Sequence, residues 1–398
     1  MTGGAQVALR HARALRPVGR VERDVRSVTW PVLIRNEPRG TDPAPSAKHR
    51  RPYGTIRAMS VTLPRRVLIV RLGAIGDVVN ALVVAAALKD ARPDITIGWV
   101  VHPLAQPLVD GHPCVDRVHV WRRDGGLAEA RRVLREVRGE QYELALDLQR
   151  ITKSALLARC SGAARVLGFD RGRAKEASWL WTRERIPPGS AAAHMVDQYL
   201  EFVRHLGLRE ARARRAFPPD PEAAAWADGL VAELGGAPIL VNLGATKPAN
   251  RWPPERFGTL AGTLRRELDT PVVLTGGETD RAAERRALAA LDPEHGVRSL
   301  VGATSLRQLV ALVARARLFV GCDTGPMHLA AACGTPVVAL FGPADPRRTG
   351  PYGEGHQVVR VPPPCAPCNR RTCNQPRHAC MEDITVELVV AAARACAR

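Results

Sequence analysis

Carboxylates and cations stand beside glycine-rich turns at several points of the chain, a combination suited to proton transfer next to a bound phosphate. Asp77 ends the run Gly73-Ala74-Ile75-Gly76-Asp77. Two glycines let a backbone or a ligand come close. A carboxylate there can serve as a general base, or it can simply cap a helix. The G-x-x-G spacing lacks the G-x-G-x-x-G fingerprint and argues against a nicotinamide dinucleotide. A second group is Asp323-Thr324-Gly325-Pro326-Met327-His328. Thr324 and Gly325 suit a helix cap and Pro326 its first turn. The unpaired N–H groups of such a helix end favour a phosphate. An ordinary βα turn with Asp323 as its cap is the plainer alternative. Lys247 and Arg251 follow a strand; they can neutralise a diphosphate, Arg in bidentate fashion, or sit in a solvated loop. Glu278, after Gly276-Gly277, can accept hydrogen bonds from ribose hydroxyls or favour a helix N-terminus.

One cluster points to different chemistry. Cys365, Cys368, Cys373 and Cys380 are spaced C-x2-C-x4-C-x6-C, with His378 nearby. The first pair fits zinc and the wider second spacing does not. Structural zinc, paired thiols and free thiols all stay open, and a four-thiolate site would leave no position for substrate.

Strands and helices alternate along the chain and carry these groups on the turns between them. Arg66–Val70, 95–101, 115–120 and 142–148 read as strands, and 127–139 and 191–208 as helices. AFPPDP at 216–221 reads as a linker. The pattern then restarts with a helix at 222–234, a strand at 238–243, a helix at 256–268 and a strand at 271–274. Leu318 to Pro343 reads as strand, tight turn, short helix, tight turn, strand, with Gly334 ending the helix and Pro336 forbidding its resumption. Two doubly wound sheets in tandem are expected, with a cleft at the C-terminal ends of their strands.

A length of 398 residues suits two domains, and 45% hydrophobic content can supply two cores. The formal charge of +19 fits a solvated surface or an anionic partner. Aromatic residues make up only 4%, which weakens a single-strand nucleic-acid reading. No apolar run is long enough to cross a bilayer, and residues 1–58 lack the apolar core of a signal peptide. Nine cysteines, an odd number, suggest free thiols in a reducing compartment. Residues 1–58, rich in Arg, Pro and Gly, are expected to be a disordered basic leader. Val7–Leu15 is a weak helix candidate within it. Met59 offers an alternative start, and a basic arm touching anionic lipid is the rival reading.

The stretches RVLIVRLGAIGDVVNAL, LDLQRITKSALLA, GATKPANRWPPERF, TGGETD and VGCDTGPMHLAAACGTPVVALFGPADP, in this order, resemble glycosyltransferase family 9, the ADP-heptose:lipopolysaccharide heptosyltransferases. The resemblance runs from about Arg65 to the C-terminus. It implies a GT-B fold, with an acceptor domain over 59–221 and a nucleotide-sugar domain over 222–398. It puts the base at Asp77. The donor would meet Thr246, Lys247, Arg251, Glu278, Asp323, Thr324, Gly325 and His328, and the acceptor Gly76, Arg150 and Lys153. Three positions depart from the family pattern. Asn80 stands where many members have His, Asn250-Arg251 precedes the Trp-Pro pair, and Arg150 follows Gln149 where Gly is usual.

The implied activity is inverting, metal-independent transfer of heptose from ADP-heptose to a lipid-linked core oligosaccharide. No cofactor is required, and the enzyme would be cytoplasmic, resting peripherally on the anionic inner-membrane face, without nucleic acid. Two alternatives remain. One is a related glycosyltransferase using another nucleotide sugar or a protein acceptor; the other is a nucleotide- or nucleic-acid-binding protein without transfer activity.

Overall fold

The computed structural model describes residues 32–35, 63–122, 124–292 and 296–396. Six strands form the first sheet: β2 (Arg66–Val70), β3 (Thr96–Val101), β4 (Arg117–Val120), β5 (Leu144–Asp147), β6 (Arg165–Gly168) and β7 (Glu184–Arg185). Their order is β4-β3-β2-β5-β6-β7, and every pairing is parallel. The second sheet repeats this plan. It contains β8 (Ile239–Asn242), β9 (Val272–Thr275), β10 (Val297–Ser299), β11 (Leu318–Cys322), β12 (Val337–Leu340) and β13 (Gln357–Arg360). These run in the order β13-β12-β11-β8-β9-β10, all parallel.

Val32–Arg35 (β1) joins the outer edge of β13 in antiparallel register, Val32 opposite Arg360. This segment falls inside the leader expected to lack order. Its Val-Leu-Ile run has the β-branched content that suits an edge strand. The rest of that leader, including Val7–Leu15, lies outside the described residues.

In each sheet the chain starts at a central strand, walks to one edge, and returns to continue on the other side. The order reverses between β2 and β5 in the first sheet and between β8 and β11 in the second. Loops leaving the C-terminal ends of these strand pairs diverge and leave a crevice, where ligands settle in open α/β sheets. The first lobe carries α1 (Ile75–Ala91) and α4 (Met195–His205) on one face of its sheet, with α2 (Gly126–Gly139) and α3 (Thr152–Cys160) on the other. The second lobe places α6 (Pro254–Leu268) and α12 (Val386–Cys396) on one face, with α7 (Arg281–Leu288) beside α6. On the other face lie α5 (Pro221–Glu233), α8 (Leu306–Val313) and α9 (Gly325–Cys333). Two single-turn helices, α10 (Pro346–Thr349) and α11 (Ala379–Glu382), interrupt the segment after β12.

Helix α1 decides how the lobes meet. Every residue from Val78 to Leu88 is buried, although an ordinary surface helix keeps one polar face. The reason is double cover: α4 packs on one side and α9 of the second lobe on the other. Leu329 of α9 is fully buried within the first lobe's core. Burying such a leucine contributes about 1.5–3 kcal/mol. The all-round apolar sequence of α1 therefore encodes the contact between lobes.

Candidate active site

The loop after β2 and the loop after β11 face one another. Gly76 is so close to α9 that a Cβ added there would lie 2.4 Å from His328 Cδ2. A Cβ on Gly325 would lie 3.0 Å from the Ile75 side chain. The N-terminal ends of α1 and α9 thus touch across the crevice, and both glycines are required by proximity. Neither N-cap residue, Ala74 or Thr324, uses its side chain to cap its helix. Two sets of helix-end N–H groups, each with partial positive charge, converge on this corner.

Asp77 sits in the first turn of α1 and forms an ion pair with Arg71 rather than capping the helix. Arg71 is buried, with 4% of its side chain exposed, whereas Asp77 keeps 40%. The Arg71 guanidinium also donates to Leu148 O at 3.0 Å and lies over the Tyr199 ring at 5.8 Å. Burial alone would push the Asp77 carboxyl up. The charges of Arg71 and Arg150, with a backbone hydrogen bond from Ala74, outweigh it and hold Asp77 below the usual carboxylate range. Asp77 is therefore ionised and fixed in direction.

Across the crevice, burial pushes Asp323 up to about 6, opposed by Lys247 and by the amide of Asn250 and reinforced by the charge on Asp77. Asn250 Nδ2 donates to both Asp323 O and Asp323 Oδ2, each at 3.1 Å. His328 is buried, and desolvation lowers it to about 4, so the ring is neutral at ordinary pH. Asn80 Nδ2 meets His328 Nδ1 at 3.3 Å, which leaves the ring proton on Nε2, 4.0 Å from Asp323 Oδ1. Asn80 thus gives the first lobe a side-chain hydrogen bond to His328, beside the close approach of Gly76.

Cations ring this corner. Arg150 adopts a positive φ of 68° after β5, the strand at the first sheet's reversal point. Its guanidinium is buried over the Phe169 ring at 5.1 Å, and its Nε has no partner. Desolvation lowers the pKa of Lys175, and Arg150, Arg348 and Lys247 lower it further while Asp77 acts the other way. Residues from both lobes therefore act on one small volume. The sequence reading did not single out Arg71, Lys175 or Arg348, and it named Asn250 only as a departure from the family pattern, without a role. For Arg71 the available signal was its position directly after β2. Lys175 and Arg348 gave none, since they come from distant loops.

The model of glycosyltransferase family 9 (heptosyltransferase) matches residues 130–378, well over half the chain. The chain belongs to glycosyltransferase family 9. Lipopolysaccharide heptosyltransferase 1 of Pseudomonas aeruginosa is 31% identical over 322 residues, covering 77% of this chain and 87% of that protein. The solved ADP-heptose LPS heptosyltransferase II of Escherichia coli is 25% identical, with a TM-score of 0.68, covering 83% of this chain and 98% of that one. A family 9 glycosyltransferase from Veillonella parvula superposes with a TM-score of 0.73 at 22% identity, over 84% and 97% of the two chains, a likeness of fold. The two facing sheets are the GT-B architecture, as expected.

The remaining predicted positions of this family 9 chain lie on loops and helix starts of the two lobes. Lys247 leads into the 3-10 turn Pro248–Asn250 and is half-buried. Thr246 and Arg251 are exposed, and Arg251 Nε donates to Ala245 O at 3.1 Å, bracing its own loop. Glu278 follows β9, exposed, paired with Arg281 at 3.3 Å and poised over the backbone of Gly302. It stands one strand away from the β8 loop. Lys153 is exposed in the first turn of α3. Cys365, Cys368, Cys373 and Cys380 line one small pocket with His378 and Ala249, and all are free thiols. His378 Nε2 is engaged with Ala249 O at 2.9 Å. Among the described residues no group of three or more His, Cys, Asp or Glu is placed to hold a metal ion.

Proposed function

We propose that this chain transfers heptose from ADP-heptose to a lipid-linked core sugar of lipopolysaccharide, with inversion at the anomeric carbon. The observation that carries the proposal is the corner itself. One ionised, oriented carboxylate stands against the open N-terminus of α9 and its surrounding cations. The names of the relatives supply the sugar and the acceptor.

Residues 59–221 form the acceptor lobe and 222–398 the donor lobe in this reading. The donor diphosphate lies at the N-terminus of α9, met by Thr324, Gly325 and Lys247. Glu278, with Gly302 beside it, receives the ribose. Arg150, Lys153 and Gly76 border the acceptor. Asp77 accepts the proton of the acceptor hydroxyl as its oxygen forms the new bond to the anomeric carbon. The bond from that carbon to the β-phosphate oxygen breaks on the opposite face, so configuration inverts. ADP departs with the electron pair. The helix end and Lys247 stabilise its growing charge from fixed positions, which needs no reorganisation during the step. His328, neutral, offers its Nε2 proton as a donor in the same corner. The enzyme works in the cytoplasm at the inner-membrane face, where its formal charge of +19 favours contact with anionic lipid.

Asp77→Asn keeps an oxygen for Arg71 but cannot take a proton. Turnover of ADP-heptose with acceptor is expected to fall by about 10²–10⁴-fold, with ADP affinity retained by calorimetry. Near-normal turnover in the folded variant overturns the assignment of the base. Calorimetry with ADP, UDP and GDP tests the donor: preference for UDP or GDP would overturn ADP-heptose.

A further inference from the structure

The first lobe carries an apolar knuckle that its fold does not cover. Between β6 and β7 the chain makes a single 3-10 turn, Ser178–Leu180. Leu180 is 63% exposed and Trp181 40%, and Leu156 on the neighbouring helix α3 is 40% exposed. The turn packs directly on α3. These side chains are large and costly to leave in water, and they cluster where isolated exposed residues would need no explanation.

The knuckle is framed by positive charge. Arg171 lies over the Trp179 ring at 4.5 Å and Arg185 at 5.9 Å, with Arg185 Nη1 donating to Trp179 O at 2.8 Å. Stacking fixes the guanidiniums beside the apolar tip. Among the described residues neither arginine has a carboxylate partner. From Arg171 to Arg185 the sequence holds five basic residues and two acidic ones; Arg173 is buried in pairs with Asp170 and Glu201, and the other four basic residues are exposed. Of the acidic ones, Glu184 is engaged with Arg165 at 2.8 Å, whereas Glu176 is exposed and accepts from the Thr152 amide at 3.4 Å.

The knuckle is also tied to the acceptor side of the crevice. Ser178 Oγ donates to Arg150 O at 2.9 Å, as does the Lys175 amide. Lys175 itself lies within the electrostatic reach of Asp77. A short, braced path therefore joins the reacting corner to the exposed tryptophan.

We propose that this knuckle is the surface that docks on an anionic lipid bilayer. Leu180 and Trp181 enter the headgroup boundary and the arginines meet lipid phosphates. The arrangement is that of an interfacial anchor, with an aromatic and an aliphatic residue in a basic rim. An acceptor sugar could then reach Asp77 while its lipid stays in the membrane. The inference rests on the lipid-linked acceptor proposed above, and the experiment separates the two.

Full-length protein is co-sedimented with phosphatidylcholine vesicles with and without phosphatidylglycerol, at low and high salt. Wild type is expected to bind the anionic vesicles, and salt to weaken the binding. The double variant Leu180→Asp, Trp181→Ser should bind them about tenfold less. Leu127→Asp, on the exposed face of α2, should bind as wild type does. With brominated lipid, Trp181→Phe should lose most of the quenching seen in wild type. Turnover of a delipidated, soluble acceptor should be unchanged in the double variant, while turnover of vesicle-embedded acceptor falls. Wild-type vesicle binding in the double variant, or an equal loss in Leu127→Asp, overturns the docking surface and leaves the transferase reading standing. Failure of wild type to glycosylate either form of the acceptor overturns the transferase reading instead.

Discussion

Asp77 and Asp323 are carboxylates of one corner driven in opposite directions. Arg71 keeps Asp77 ionised, so its own titration lies too low to shape activity near neutrality. His328 loses its charge near 4 and also leaves no mark near 6.5. Asp323, raised to about 6, is left to set the acid-side behaviour of the donor site. Protonating it removes a negative charge beside the proposed diphosphate site. Donor affinity should therefore rise as pH falls through about 6, and Asp323→Asn should abolish that dependence. An ADP-sugar analogue is the right probe, because a diphosphate diester does not itself titrate there. Stability follows the same sign. The folded state holds the Asp323 proton to higher pH than the unfolded chain, so ionisation costs stability as pH rises from about 4 to 6. Asp323→Asn should raise the thermal midpoint more at pH 8 than at pH 5. Asp77 behaves oppositely: its contribution is present above its unfolded value, about 3.9, and is lost on acidification below it.

At the level of elements, the pair α1 and α9 makes the site. Gly76→Ala would press a methyl group into the His328 ring. Overpacking of this kind costs about 1–3 kcal/mol. It should lower kcat more than it weakens ADP binding, because it displaces Asp77 relative to the donor while leaving the α9 end intact. Steady-state kinetics beside a denaturant titration would measure both. Much of this pair was legible in the sequence. Gly334 ends α9 with a φ of 79°, and the Thr335 amide returns to Ala330 O at 3.0 Å, the turn that Gly-Thr-Pro announces. The strands flanking α9 were equally clear, because fully buried parallel strands are continuous apolar runs. Arg165–Gly168 and the two-residue β7 escaped notice, being too short to show a period. The site was half legible. Residues beside glycine turns carried a local signal, whereas Lys175 and Arg348 became neighbours only through tertiary structure. Asn250 was named only as a departure from the family pattern, because an amide suggested no charge chemistry, yet it is the group that holds Asp323.

For the molecule as a whole, a nucleotide that bridges the crevice should stabilise the fold by linkage. ADP at a hundredfold excess over its dissociation constant is expected to add about 2.7 kcal/mol to stability. Differential scanning fluorimetry with ADP, UDP and GDP would rank the bases without any acceptor. No helix among the described residues is long and apolar enough to cross a membrane. The lobes are joined a second time beside the corner. His194 Nε2 meets Gly350 O at 2.9 Å, Tyr352 donates to Asp197 Oδ1 at 2.8 Å, and Arg348 reaches Met195 Sδ at 3.2 Å. With the glycine contact of α1 and α9, these bonds stitch the two halves together beside Asp77, so tilting one lobe on the other would require polar contacts at that corner to break.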